Sequence, residues 1–242
     1  MNLKALAAGL DTLLAPSLCL HCRRVVDAGR VLCRVCAGSL PVNRQPQCPV
    51  CGLQRREIGI KPCRRCKETD FKFDGNYSPL LFAGPVASLI HALKYGHILR
   101  AADTLAERMT DMLAKRGIAR NHGIECITFV PLHRRKERER EFNQTVLLSG
   151  MIGEKIGLPL RPLLESIRYT ASQTQRTSTQ RMTATKGLFK ALPGDMPERI
   201  LLVDDVFTTG STLSACAGVL KDAGARHVIT ITAAITPQSG NL

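Results

Sequence analysis

Beyond residue 72 the chain alternates between two hydrophobic rhythms. Residues 124–130 (IECITFV), 200–203 (ILLV) and 228–235 (VITITAAI) are short, nearly unbroken and rich in β-branched side chains. Such runs are expected of strands buried on both faces. Between them the apolar positions recur every three or four residues. Residues 85–95 (PVASLIHALKY), 101–116 with Leu105, Met109, Met112 and Leu113 on one side, 142–156 and 213–223 therefore predict helices. Residues 73–82 predict a strand and a turn. Strands alternating with helices predict an α/β fold, a mostly parallel sheet flanked by helices.

Residues 1–70 follow a different grammar, and the change divides the chain into a segment 1–70 and a body 71–242. An apolar run over residues 3–20 is broken by Asp11 and is not followed by a small-x-small cleavage site. It is too short and interrupted for a membrane span, so a helix packing on the body is expected. After it come four CxxC pairs, Cys19/Cys22, Cys33/Cys36, Cys48/Cys51 and Cys63/Cys66, separated by 10, 11 and 11 residues. A two-residue spacer lets both sulfurs of a tight turn reach one ion, and two such turns complete a tetrahedron. Eight thiolates predict two structural Zn²⁺ sites with no open coordination position. Redox chemistry at CxxC would need a βαβ setting that this segment lacks. Sequential use of the pairs keeps each loop short and is favoured over an interleaved cross-brace, with both pairings open at this level. His21, between two ligands, is expected to be exposed.

Charge narrows the partners. The chain carries a formal +14, and two zinc ions with eight thiolates reduce this to about +10. Polyanions are the implied partners, either phosphorylated metabolites or nucleic acid. Residues 1–70 hold twelve Lys/Arg against five Asp/Glu, with arginine doublets beside the knuckles. No aromatic residue precedes Phe71, so weak, salt-sensitive backbone binding is expected rather than base stacking. Thiols used as metal ligands place the chain in a reducing compartment, the cytoplasm.

The chemistry concentrates in residues 199–212 (RILLVDDVFTTGST). A buried strand is expected to end at two adjacent carboxylates, Asp204 and Asp205. A loop of Thr208, Thr209, Gly210, Ser211 and Thr212 then enters a helix. In open α/β sheets ligands bind outside the carboxyl ends of the strands. A glycine-containing turn at a helix mouth directs unpaired N–H groups at an anion. Phosphate on the hydroxyl-lined turn and a diol on the acids together suit a sugar phosphate. A Walker-type site is excluded, because GxxxxGK[ST] occurs nowhere in the chain. Two further stretches are expected to face this ligand. Residues 131–140 (PLHRRKERER) form a basic loop at a strand's carboxyl end, with Arg134 and Arg135 for a pyrophosphate. Residues 166–189 are polar and aperiodic, as expected of a lid, with Arg168, Gln173 and Arg181 able to fold over it.

Residues 199–212 closely resemble the phosphoribosyl-pyrophosphate (PRPP) motif of type I phosphoribosyltransferases. The wider set resembles the ComF family, a double zinc ribbon joined to a type I phosphoribosyltransferase-like domain. It comprises the CxxC pairs, LIHALKY at residues 89–95, VPLH at 130–133, R-x-F-N-Q at 140–144 and the PRPP motif. The resemblance covers nearly the whole chain. It implies a role in DNA uptake and natural transformation, with single-stranded DNA or proteins of the competence machinery as partners. As an enzyme, such a protein would displace pyrophosphate from PRPP by a nitrogen nucleophile. Asp204 and Asp205 would hold the ribose hydroxyls directly or through Mg²⁺, Thr208 to Thr212 the 5′-phosphate, and Arg134, Arg135 and Lys94 the pyrophosphate. The alternative is a non-catalytic PRPP sensor or nucleic-acid scaffold with a retained phosphate pocket. Three positions depart from the family pattern. Glu141 stands where R-G-F-N-Q has glycine, and Arg176 and Ala184 stand where the lid has Leu and Asn. A carboxylate at Glu141 should repel pyrophosphate unless it turns outward or pairs with Arg140. Binding is therefore expected more firmly than turnover.

Overall fold

The computed structural model describes residues 17–55, 61–168 and 187–237. Most of the run 3–20, and the lid residues Gln173, Arg176, Arg181 and Ala184, lie outside the described residues. Five parallel strands form the sheet: β1 (Gly75–Tyr77), β2 (Leu80–Leu81), β3 (Cys126–Phe129), β6 (Arg199–Phe207) and β7 (His227–Ile235). Their order is β1-β7-β6-β3, and β2 also pairs with β7. A separate antiparallel pair joins β4 (Leu164–Ser166) to β5 (Phe189–Ala191).

Strand alternation sorts the sheet's side chains into two cores. Leu201 and Val203 of β6, with Ile229 and Ile231 of β7, pack toward one face. There they meet α3 (Gly84–Tyr95), α4 (Ala101–Lys115) and α7 (Gln144–Ile156) through Leu89, Leu93, Leu105, Met109, Leu148 and Ile152. Ile200, Leu202 and Val228 point to the other face, against Leu213, Cys216 and Leu220 of α8 (Ser211–Asp222). Both faces are covered, which is why the strands read as unbroken apolar runs.

The cysteine segment divides between the same two cores. Cys19, Val26, Leu32, Cys36 and Leu40, with the short helix α1 (Arg34–Gly38), join the α3/α4 side. Cys48, Cys51, Leu53, Cys63 and Cys66, with α2 (Arg64–Lys67), join the α8 side. The two ribbons thus sit on opposite faces of one sheet. Met112 is only partly buried beside Leu105, Met109 and Leu113.

Three local expectations are corrected. The acids do not end β6, which continues to Phe207 because β7 stays paired with it through Phe207↔Ile235. The helix after the turn starts at Ser211, so Ser211 and Thr212 lie in its first turn. The basic stretch after β3 is the helix α6 (Arg134–Arg140) rather than a loop, with His133 Nδ1 accepting from the Arg135 amide at 3.2 Å at its start. Among the described residues no helix is long and apolar enough to cross a membrane.

Candidate functional site

β3 pairs with β6 only as far as Val203, whereas β7 follows β6 to its end. Asp204 and Asp205 therefore flank a crevice left where one neighbouring strand stops, at the carboxyl edge of the sheet. A cavity of about 320 Å³ opens there, lined by Lys94, His133, Lys136, Arg140, Gln144, Arg168, Asp204, Asp205, Thr208 and Thr212 among others. Among the described residues four cations and two acids share this wall, a net positive lining even with both acids ionised.

Asp205 is the hub. Lys94 Nζ lies 2.6 Å from its Oδ2, and Gln144 Nε2 donates to the same oxygen at 3.1 Å. Arg140 in turn donates to Gln144 Oε1 at 3.2 Å and lies over the Tyr95 ring, 5.1 Å from its centroid. Asn143 caps α7 by accepting from the Thr145 amide at 3.0 Å, while Thr145 Oγ1 donates to the Val130 carbonyl at 2.8 Å. Residues 89–95, 130–133 and 140–144, far apart in sequence, are in this way tied around one carboxylate. Burial disfavours the Lys94 ammonium, but the Asp205 carboxylate outweighs it and holds Lys94 above its ordinary pKa. Asp204 is half-buried, and the N–H of the next residue, Asp205, donates to its Oδ1 at 2.8 Å. Burial, then the adjacent Asp205 charge, push the Asp204 carboxyl up to about 7.

The turn after β6 depends on its glycine. Gly210 sits at φ +80°, and a Cβ there would lie 2.6 Å from the Phe207 ring and 2.7 Å from the Phe71 ring. Only glycine meets both demands. It precedes a twelve-residue helix whose first-turn N–H groups have no intrahelical partner. Thr208 and Thr212 line the cavity, Thr209 Oγ1 and Ser211 Oγ are bonded to each other at 2.9 Å, and Ser211 faces a neighbouring hollow beside Lys72 and Ser214.

Arg134 and Arg135 are exposed on α6 outside the cavity, and Arg135 Nε pairs with Glu139 at 3.2 Å. Lys136 and Arg140 from the same run line the cavity instead. Their four-residue step, extended to Gln144, was the available signal once the run is taken as helical. Burial, then the Arg140 charge, lower the Lys136 pKa. Glu141 turns outward: its side chain is 80% exposed, its φ is +60°, and its carboxylate lies 3.6 Å from His97 Nδ1 rather than on Arg140.

The cysteines form two clusters, Cys19/Cys22/Cys33/Cys36 and Cys48/Cys51/Cys63/Cys66, each with its sulfurs within 4.8 Å of one another. The pairing is sequential. Tetrahedral Zn–S bonds of about 2.3 Å require S···S separations of about 3.8 Å. Cys22–Cys33 at 3.7 Å, Cys51–Cys63 at 3.8 Å and Cys63–Cys66 at 3.5 Å fit that figure. Two four-thiolate zinc sites are the chemistry this donor set suits. His21 is exposed and reaches Ser88 Oγ at 3.1 Å.

Comparison with known proteins adds the relatives. Residues 9–67 match the double zinc ribbon domain family. The DNA utilization protein YhgH of Salmonella typhimurium is 30% identical over 222 residues, covering 89% of this chain and 96% of that protein. Competence protein F of Haemophilus influenzae is 28% identical over 218 residues, covering 87% and 93%. A solved adenine phosphoribosyltransferase aligns with 60% of this chain and 75% of its own at 13% identity and a TM-score of 0.39, too loose a likeness to argue from. With a relative matched over nearly its full length and the ribbon matched at the amino-terminal end, the chain belongs to the ComF family.

Proposed function

We propose that this protein binds PRPP, or another ribose 5-phosphate compound, together with Mg²⁺, in a cytoplasmic role in DNA uptake. The observation that carries the proposal is the turn of residues 208–212 entering a helix directly beyond Asp204 and Asp205, on a cavity with four cations. Thr208, Thr209, Gly210, Ser211 and Thr212 supply hydroxyls and amides for a 5′-phosphate. Asp204 and Asp205 are hard oxygen donors of the kind Mg²⁺ takes together with substrate oxygens. Lys136, Arg140, Lys94 and Arg168 are the cations available to a pyrophosphate. Arg134, Arg135 and Arg181 remain candidates from the sequence, the first two needing α6 to rotate.

Relatives bearing DNA utilization and competence names support placing that ligand in the handling of incoming DNA. Single-stranded DNA and other competence proteins are the proposed partners, with the basic ribbon segment 1–70 as their contact and the body 71–242 as the ligand-binding part. Turnover would rest on positioning and charge stabilisation of a cationic ribosyl transition state. One observation favours binding without turnover: Asp205 is already engaged by Lys94 and Gln144.

Calorimetry with PRPP and Mg²⁺ tests the proposal. Binding is expected in the wild type and its loss in Asp204→Asn/Asp205→Asn. No heat at millimolar ligand would refute it. Pyrophosphate release with a panel of nitrogen acceptors separates enzyme from sensor.

A further inference from the structure

The second ribbon does more than sit beside the body. Cys63 is the N-cap of the single turn of α2, Cys66 lies within that turn, and Arg65 projects from between them. Its Nη1 donates to the Thr208 carbonyl at 3.0 Å, and its guanidinium lies over Phe207, 5.0 Å from the ring centroid. Nε and Nη2 of Arg65 are buried with no partner among the described residues, so a cation is held at the turn without an acid to neutralise it.

The chain leaving this ribbon touches the turn twice more. Phe71 stacks on Phe73 at 4.8 Å, and both rings meet Phe207 near 6 Å, closing the space that only Gly210 can fill. The Lys72 amide donates to Ser214 Oγ at 3.0 Å in the first turn of α8. The ribbon itself is anchored to the sheet edge: Asn76 Nδ2 donates to the Cys51 carbonyl at 2.9 Å, and a Cβ at Gly52 would lie 2.4 Å from the Asn76 carbonyl oxygen. The first ribbon packs on the α3/α4 face, among the helices there.

We propose that the second four-cysteine ribbon is a metal-dependent brace for residues 208–212, with Arg65 as its positioning residue. Metal at Cys48, Cys51, Cys63 and Cys66 fixes the turn that carries Arg65, and Arg65 fixes the turn that receives the phosphate. By linkage, metal at this ribbon and anion at the turn strengthen each other's binding. That affinity coupling rests on the ribose-phosphate proposal above, whereas the ordering of the turn does not.

The test uses the full zinc-loaded chain. Zinc content, amide hydrogen exchange across residues 206–217, and the Kd for PRPP with Mg²⁺ are measured for Arg65→Ala, Cys66→Ser and Cys36→Ser. The control is Arg64→Ala, whose side chain is 94% exposed. Arg65→Ala is expected to keep about two zinc ions, exchange roughly tenfold faster in this segment and bind PRPP roughly tenfold more weakly, with Arg64→Ala unchanged. Cys66→Ser is expected to lose one zinc and loosen the turn, and Cys36→Ser to lose one zinc without loosening it. Wild-type exchange in a zinc-replete Arg65→Ala overturns the brace, as does equal loosening by Cys36→Ser. Should Arg65→Ala shed zinc, Arg65→Met keeps the stem and removes the donor and charge, and it is held to the same two outcomes. A wild type that binds no PRPP, with a turn that loosens in Arg65→Ala, refutes the ligand and upholds the brace. PRPP binding that persists with an unaltered turn does the reverse.

Discussion

Replacing Lys94 with methionine strips the hub of its cation. Asp205 is 4% exposed and, among the described residues, would keep only the Gln144 amide as a side-chain partner, with Asp204 next to it. Removing one member of a buried ion pair costs about 3–5 kcal/mol, because the other charge is stranded. Lys94→Met should therefore lose about 3–5 kcal/mol at pH 7. Adding Asp205→Asn removes the stranded charge and should recover most of the loss at pH 7. Urea unfolding of the wild type, both single variants and the double variant at pH 7 reads all of this. A loss below about 1 kcal/mol at pH 7, or a double variant no more stable than Lys94→Met, would refute the hub.

Three further outcomes follow from the same geometry. Asp204 titrates near 7 in the fold and near 3.8 when unfolded, so the folded state binds the extra proton and stability falls as pH rises from about 4 to 7. Asp204→Asn should flatten that slope in urea titrations, and Mg²⁺-dependent ligand affinity should strengthen as pH climbs through 7. Glu141 holds φ +60° at the exposed end of α6, so Glu141→Gly should gain roughly 0.5–1 kcal/mol, seen as a higher calorimetric midpoint. Metal analysis should return about two zinc ions per chain. Chelation should be biphasic, because Cys22 of the first cluster is exposed while all four cysteines of the second are buried. A single chelation phase would contradict the burial difference.

The legible parts of this molecule are those written in local pattern. Strands β3, β6 and β7 show as apolar runs because both faces of the sheet are covered, and the CxxC spacing announces its metal because a tight turn fixes two sulfurs by itself. The helix α6 is hidden for the opposite reason. It has seven residues, all of them charged, none buried, and so no apolar face to give it a period. Taken as a loop, the run offers Arg134 and Arg135, its first cations; taken as a helix, it offers Lys136 and Arg140, one turn apart on the cavity side. The Lys94–Asp205 and Arg65–Thr208 contacts span 111 and 143 positions and leave no local trace at all. What a sequence pattern conveys is which groups a site contains; which group holds which is decided by β3, which stops opposite Val203, and by the ribbon that lands on the turn. A catalytic claim for this pocket therefore turns on whether ligand can draw Asp205 away from Lys94, a competition that only the assembled sheet edge brings into being.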